Sequence, residues 1–199
     1  SVSTRQENEQ TAFSILEKQL KKDNYQNELF TISLLDKSMS GLMLFAKERS
    51  IRETFLKSPE KVKLSKSFCA VAEGIFKEPE ATLINWLKEN KAYVMYDDGS
   101  KEDAQQAITH YKVRKTGNEL TMLEIETETE IKNQIRAQFK ALGHSIVGDK
   151  KYGATFFPIK RLALHAFKLS FIHPITGREM TFESRIPLTF HKLLKKQPN

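Results

Sequence analysis

Two side chains that could act together on a substrate stand far apart in the sequence, Asp36 and Arg136. Asp36 closes the apolar run Leu34-Leu35 and opens the turn-like stretch Lys37-Ser38-Met39-Ser40-Gly41. Arg136 follows Asn133-Gln134-Ile135 at the start of an amphipathic stretch. Taken singly, an aspartate at such a place caps a turn by accepting a backbone N–H, and such an arginine is a solvated helix cation or a phosphate contact. Taken together, a carboxylate and a guanidinium can meet in one cleft. Other chemistries find no support. The histidines make no metal-ligand spacing with other His, Asp or Glu residues, and the single cysteine, Cys69, rules out an intramolecular disulfide and a cysteine-based zinc site. No phosphate-cradling G-x-x-x-x-G-K-[ST] loop, dinucleotide G-x-G-x-x-G or nucleophile-elbow serine occurs.

The elements that must position these residues follow from periodicity. A chain of 199 residues makes one ordinary domain with a sizeable core. No apolar run approaches the roughly 18 residues of a membrane-spanning helix, and residues 1–10 have no signal-peptide core. Phe13, Leu16 and Leu20 recur at helical spacing over Thr11–Lys22, with Thr11 as the cap. Strands are expected over Leu29–Leu35 and Leu42–Phe45, on either side of Asp36. A helix over Glu48–Lys57 ends at Ser58-Pro59. Further strands are expected at Phe68–Ala72 and Tyr93–Tyr96, and Ile108–Val113 with Leu120–Glu128 form a hairpin around Thr116-Gly117-Asn118. Asn133–Leu142 should be a helix with Ile135, Phe139 and Leu142 on one side and Gly143 as its stop. The last strands are Leu162–Ile172 and Met180–Ile186. Most connections are hairpins, so the expected fold is mixed α+β on a largely antiparallel sheet, with helices and loops flanking a central cleft. A net charge of +7 and a pI near 9.3 favour a polyanionic partner, since each cation that neutralises a phosphate releases counterions.

The long segments around both residues carry a family resemblance. Leu35-Asp36-Lys37-Ser38-Met39-Ser40-Gly41-Leu42-Met43-Leu44-Phe45-Ala46-Lys47, then Asn133-Gln134-Ile135-Arg136, then Leu142-Gly143-His144-Ser145-Ile146-Val147-Gly148-Asp149 and Tyr152-Gly153 resemble the signature of the RluA family of RNA pseudouridine synthases. Lys66-Ser67-Phe68-Cys69-Ala70 and the strands at 107–113 and 162–166 extend the likeness over most of the chain. The resemblance implies a pseudouridine synthase fold and an isomerase that breaks the bond from ribose C1′ to uracil N1 and remakes it to C5, without metal or organic cofactor. It implies Asp36 as the nucleophile, attacking the base or the sugar, and Arg136 as its paired cation, because an opposite charge within several ångströms keeps a buried carboxylate ionised. Ile135 becomes an apolar wall of the uracil pocket and Phe68 its stacking ring. Lys37, Lys132, Asn133, Gln134 and Lys140 become RNA contacts. The expected substrate is structured ribosomal or transfer RNA, and the expected protein is a cytoplasmic monomer.

The chain departs from the family's pattern at several places. Phe68 stands where tyrosine is usual, Ser33-Leu34 where His-Arg is usual, Met39 where threonine is usual, and Glu130-Ile131 where Gly-Arg is usual. These changes raise the alternative of an RNA-binding relative that no longer turns over; a protein-binding domain with incidental charge is a further reading. His110 and His165 are expected to be structural and Cys69 a core thiol. Residues 1–199 are expected to form a single catalytic domain without the family's first strand or any further N-terminal region.

Overall fold

The structure, a computed structural model, describes residues 11–23 and 28–195. Helix α1 spans Ala12–Lys22 and is capped as its sequence suggests: the Ser14 amide donates to Thr11 Oγ1 at 3.0 Å, and the Thr11 amide donates to Ser14 Oγ at 2.9 Å. Strand β1 (Phe30–Ser33) pairs antiparallel with β3 (Leu44–Ala46), and the two-residue β2 (Ser40–Gly41) lies between them in sequence. Helix α2 (Arg49–Lys57) stops at Ser58, but Pro59 does more than break it. With its φ already set for a helix, it starts the single turn α3 (Pro59–Val62).

The remaining strands build one sheet. They are β4 (Ser65–Glu73), β5 (Glu80–Glu89), β6 (Met95–Tyr96), β7 (Gln105–Thr116), β8 (Leu120–Thr127), β9 (Leu164–Ile172) and β10 (Glu179–Glu183). Their order is β10-β9-β4-β8-β7-β5-β6, antiparallel throughout, and the short β2 adds the single parallel pairing, to β9. The β7–β8 hairpin turns at 117–119, as the Thr116-Gly117-Asn118 signal suggests. Between β8 and β9 come helix α4 (Gln134–Ala141) and a 3₁₀ turn at Lys150–Tyr152; helix α5 (Leu188–Leu193) follows β10. The largely antiparallel α+β arrangement expected from the sequence is therefore present. Among the described residues no helix is long and apolar enough to cross a membrane.

The middle of the sheet is its most buried part. In β4, Ser67–Ala72 are all buried, a pattern that requires cover on both faces and explains the nearly unbroken apolar run. Phe139 of α4, Ile146, Val147 and Phe190 of α5 pack into the same core. A second cluster seals the far end, where Phe55 and Val62 meet Leu169 and Phe171 of β9 and Leu44 of β3 packs alongside. Helix α4 differs from the amphipathic pattern expected of it. Gln134–Phe139 are all buried, while Leu142 is half-exposed, so the helix is enclosed and not laid on a surface. Its polar members are accommodated by hydrogen bonds. Gln138 accepts from Thr109 Oγ1 at 2.6 Å and donates to the carbonyls of Leu83 and Ala107 and to Asn85 Oδ1.

Candidate active site

The loop that carries Asp36 is fastened at both sides. The Met39 amide donates to the Asp36 carbonyl at 2.9 Å, closing a turn, and the chain then runs directly onto β9 through the β2 pairing of Ser40 with His165 and Gly41 with Ala166. Gly41 has φ +127°, and a Cβ there would sit 2.2 Å from the Ala166 carbonyl oxygen, so only glycine allows this approach. Ser40 Oγ lies 2.7 Å from His165 Nδ1, and His165 Nε2 lies 2.9 Å from Ser184 Oγ. Burial first and the nearby Arg161 cation second hold His165 below its ordinary pKa, which favours the neutral ring this clip requires. His165 is thus structural, as is His110, whose ring contacts Thr82 Oγ1 and Glu128.

Arg136 enters the cleft from the first turn of α4. The preceding Asn133 has φ +56°, a left-handed conformation that asparagine tolerates better than most residues, and its Oδ1 accepts from Arg136 Nη1 at 2.7 Å. The opposite edge of the guanidinium is gripped by Asp149 in a two-pronged pair, Nε to Oδ2 at 2.6 Å and Nη2 to Oδ1 at 2.7 Å. The Tyr152 ring lies 4.7 Å from the guanidinium carbon and completes its seat. Burial pulls the Arg136 pKa down, but the Asp149 hydrogen bonds and charge, with Asp36 and Tyr152 adding to them, leave it above its ordinary value.

The Asp36 carboxylate lies on the free side of this assembly. Its Oδ2 is 3.9 Å from Arg136 Nη1, and its side chain is one-third exposed. This is an ion-pair distance without a hydrogen bond. The pairing of the two charges within several ångströms, as the resemblance implies, is met. The consequence is chemical: the guanidinium stands beside Asp36 without hydrogen-bonding its carboxylate oxygens, because Asp149 and Asn133 already engage Nε, Nη2 and Nη1 of Arg136.

Asp36 and Arg136 line a cavity of about 380 Å³ together with Phe68, Ile135, Lys132, Asn133 and Gln134. Phe68 sits in β4 opposite Ile125 of β8 and Ala166 of β9, nearly buried, with one side on the cavity. The expected RNA contacts fare differently. Lys132 lines the rim but is ion-paired with Glu89 at 2.5 Å. Asn133 is committed to Arg136. Gln134 is buried and holds the entry to α4: it donates to the Ile108 carbonyl and Thr109 Oγ1 and accepts from Thr129 Oγ1 and the Ile131 amide, so its amide group is consumed by the fold. Lys37 is exposed next to Asp36, whereas Lys140, in the last turn of α4, reaches back over Gly153 and does not line the cavity. Two residues were not picked out from the sequence. Asp149 lies inside the matched Gly148-Asp149 segment, which was its only signal. Lys66 lines the cavity with its side chain largely buried and pairs with Glu130 at 2.7 Å. Cys69, buried in β4, has its thiol pushed up to about 12 by burial and stays protonated.

The family profile described as RNA pseudouridylate synthase matches residues 1–141. The chain belongs to the RNA pseudouridylate synthase family. It is 32% identical over 164 residues to the uncharacterized RNA pseudouridine synthase YjbO of Bacillus subtilis, covering 82% of this chain and 58% of that protein. It is 28% identical over 184 residues to the ribosomal large subunit pseudouridine synthase C of Buchnera aphidicola, covering 86% of this chain and 57% of the relative. The chain thus spans little more than half the length of these relatives. Among solved structures, human RNA pseudouridylate synthase domain containing 4 superposes with a TM-score of 0.73 at 20% identity, covering 93% of this chain and 83% of that one, a likeness of fold.

Proposed function

We propose that this protein isomerises uridine to pseudouridine in structured ribosomal RNA, with Asp36 as the nucleophile. The observation that carries the reading is the position of Asp36, a carboxylate held 3.9 Å from a guanidinium whose other edge is locked to Asp149. The target uridine is flipped out of its helix, which costs a few kcal/mol, and its base is accommodated by Phe68 and Ile135 in the cavity. Asp36 forms a transient bond to the nucleoside, the bond from C1′ to N1 breaks, and the base turns and rebonds through C5. One proton leaves C5 and one is taken at N1, so composition is unchanged and no redox partner or phosphate donor is needed. Phe68 offers a stacking face but no proton acceptor. Among the groups lining the cavity, acceptors for the C5 proton are the carboxylates of Asp36 and Glu130.

Arg136 is read as the catalytic cation paired with Asp36, and Asp149 as the residue that positions it. Lys37 and Lys132 remain the phosphate contacts nearest the cleft mouth, and Asn133 and Gln134 support RNA binding by shaping the cavity's edge. We further take the protein to work as a monomer, and in the cytoplasm, a reducing compartment that its single buried cysteine fits. The test is direct. Purified protein is incubated with ribosomal RNA fragments and pseudouridine is scored after digestion to nucleosides; RNA that is bound but contains no pseudouridine would favour the non-catalytic RNA-binding relative.

A further inference from the structure

A second cavity, of about 500 Å³, lies back to back with the first and shares Arg136 with it. Ser38, two residues past Asp36, also lines it, so the two cavities meet at the reacting carboxylate's own loop. Its walls carry Lys150, Lys151, Lys160 and Arg161, and its only acidic lining residue, Asp149, is fully engaged by Arg136. Some surface lysines sit beside carboxylates, as in Lys88 with Asp98, Lys112 with Glu80 and Lys132 with Glu89. None of the four cations of this cavity is ion-paired with any described acidic residue, and all four are gathered around one concavity. Lys151 Nζ donates only to the Tyr93 carbonyl at 2.7 Å, and Lys150 Nζ lies 5.7 Å from the centre of the Phe157 ring. Arg161 donates to Ser40 Oγ, and its Nε is buried with no partner.

The convergence is built into the backbone. Gly148 has φ +81°, and a Cβ there would lie 2.2 Å from the Arg161 carbonyl oxygen, so glycine is what lets the segment bearing Lys150 and Lys151 touch the one bearing Lys160 and Arg161. Uncompensated cations held together repel one another, and an anion placed among them relieves that repulsion.

We propose that this cavity is a phosphate subsite that takes the phosphodiester backbone of the same RNA strand whose uridine enters the neighbouring cleft. The proposal rests on the reading of this protein as an RNA pseudouridine synthase and adds to it where the strand runs, past Ser38 and Arg136 onto the 148–161 region. Binding here fixes the register of the strand, so that one nucleotide is presented to Asp36, while carrying no base information itself.

The experiment compares the wild-type protein with the Lys150→Ala/Lys160→Ala pair, both exposed residues whose replacement leaves the core intact, and with a Lys21→Ala/Lys57→Ala control on α1 and α2. Affinity for a uridine-containing RNA stem-loop is measured by fluorescence anisotropy across salt concentrations, with pseudouridine formation scored in parallel and thermal unfolding checked. Removing one cation from a phosphate lowers the log–log salt slope by about 0.7 to 0.9, so the double variant should have a slope shallower by about 1.4 to 1.8. If the two proteins bind alike when extrapolated to 1 M salt, that difference makes the double variant roughly twenty-five- to sixtyfold weaker at 0.1 M. The control should match the wild type. Equal slope and affinity in the double variant and the control would overturn the subsite, as would wild-type protein that binds no RNA, or a double variant that binds free pyrophosphate more weakly but RNA as well as before. Pseudouridine formed by the wild type with no change of slope in the double variant would refute the subsite alone. A shallower slope without pseudouridine from any protein would refute the enzymatic reading and keep the subsite.

Discussion

Asp149→Asn separates a positioning role from a merely structural one. Asp149 accepts two short hydrogen bonds from Arg136, at 2.6 and 2.7 Å, and its side chain is 1% exposed. Asparagine keeps the shape and one acceptor oxygen but turns an NH₂ toward the guanidinium, so one charge-assisted bond disappears and the negative charge with it. A hydrogen bond to a charged group contributes about 1.5–3 kcal/mol, and breaking a fully buried pair costs about 3–5 kcal/mol. Because Asp36 remains as a partial counter-charge, a stability loss of about 2–4 kcal/mol is expected from the same considerations. Arg136 then has one anionic partner near it. Its Nη1 needs to move only about 1 Å from its present 3.9 Å to hydrogen-bond Asp36. Such a bond must be broken before Asp36 can attack. At about 1.4 kcal/mol per decade of rate, the 1.5–3 kcal/mol of that bond translates into a turnover roughly tenfold to a hundred-and-fiftyfold slower. Single-turnover pseudouridine formation at saturating enzyme, with urea unfolding on the same samples, measures both effects. A variant that loses stability but turns over at the wild-type rate would refute the positioning argument and leave Asp149 as a scaffold residue.

Three more outcomes follow from the geometry. Phe68→Tyr should change the single-turnover rate little if the ring serves as a stacking face; a gain of about 10² to 10⁴, the range of acid–base catalysis, would show that a hydroxyl is needed there. Gly41→Ala should cost about 1–3 kcal/mol in backbone strain and displace the Asp36 loop from β9, lowering both melting temperature and turnover; unchanged values would mean that the β2 pairing does not position Asp36. His165 is held below its ordinary value of 6.5 by burial and by Arg161, so the unfolded chain takes up its proton first on acidification: the stability linked to it is complete above pH 6.5 and falls as pH drops below that, a dependence that should flatten in His165→Gln in pH-resolved thermal unfolding.

The parts of the fold legible in the sequence were those where local chemistry and burial agree. The Asp36 turn is marked by Gly41 and the β7–β8 hairpin by Gly117, where close backbone neighbours leave no room for a Cβ, and the α1 start by Thr11, whose side chain caps the helix. β5 left a weaker trace. Its exposed face carries Ile84 as well as Thr82, so hydrophobic and polar residues do not alternate cleanly along it. α4 misled in another way: a helix enclosed on all sides keeps Gln134 and Gln138 because each is saturated by hydrogen bonds, and polar residues on a helix read as a solvated face. The same saturation takes Gln134 out of direct reach of a phosphate. The site was half legible. Asp36 and Arg136 come together as their flanking motifs imply, whereas the grip of Asp149 on Arg136 depends on how the Gly148 turn folds back against Arg161, a long-range approach with no local signature. The cationic cavity is hidden for the same reason, since Lys150 and Lys160 are ordinary surface lysines until the chain brings them together.

The central claim is that Asp36 is the nucleophile of a uridine isomerase. The measurement that tests it most directly is pseudouridine formed in ribosomal RNA by the wild-type protein and by Asp36→Asn, assayed side by side with RNA affinity and melting temperature. Asparagine is nearly isosteric but a poor nucleophile, so the wild type should form pseudouridine and the variant none, with fold and most RNA affinity retained. Equal yields from the two proteins, or no pseudouridine from either, would contradict the account.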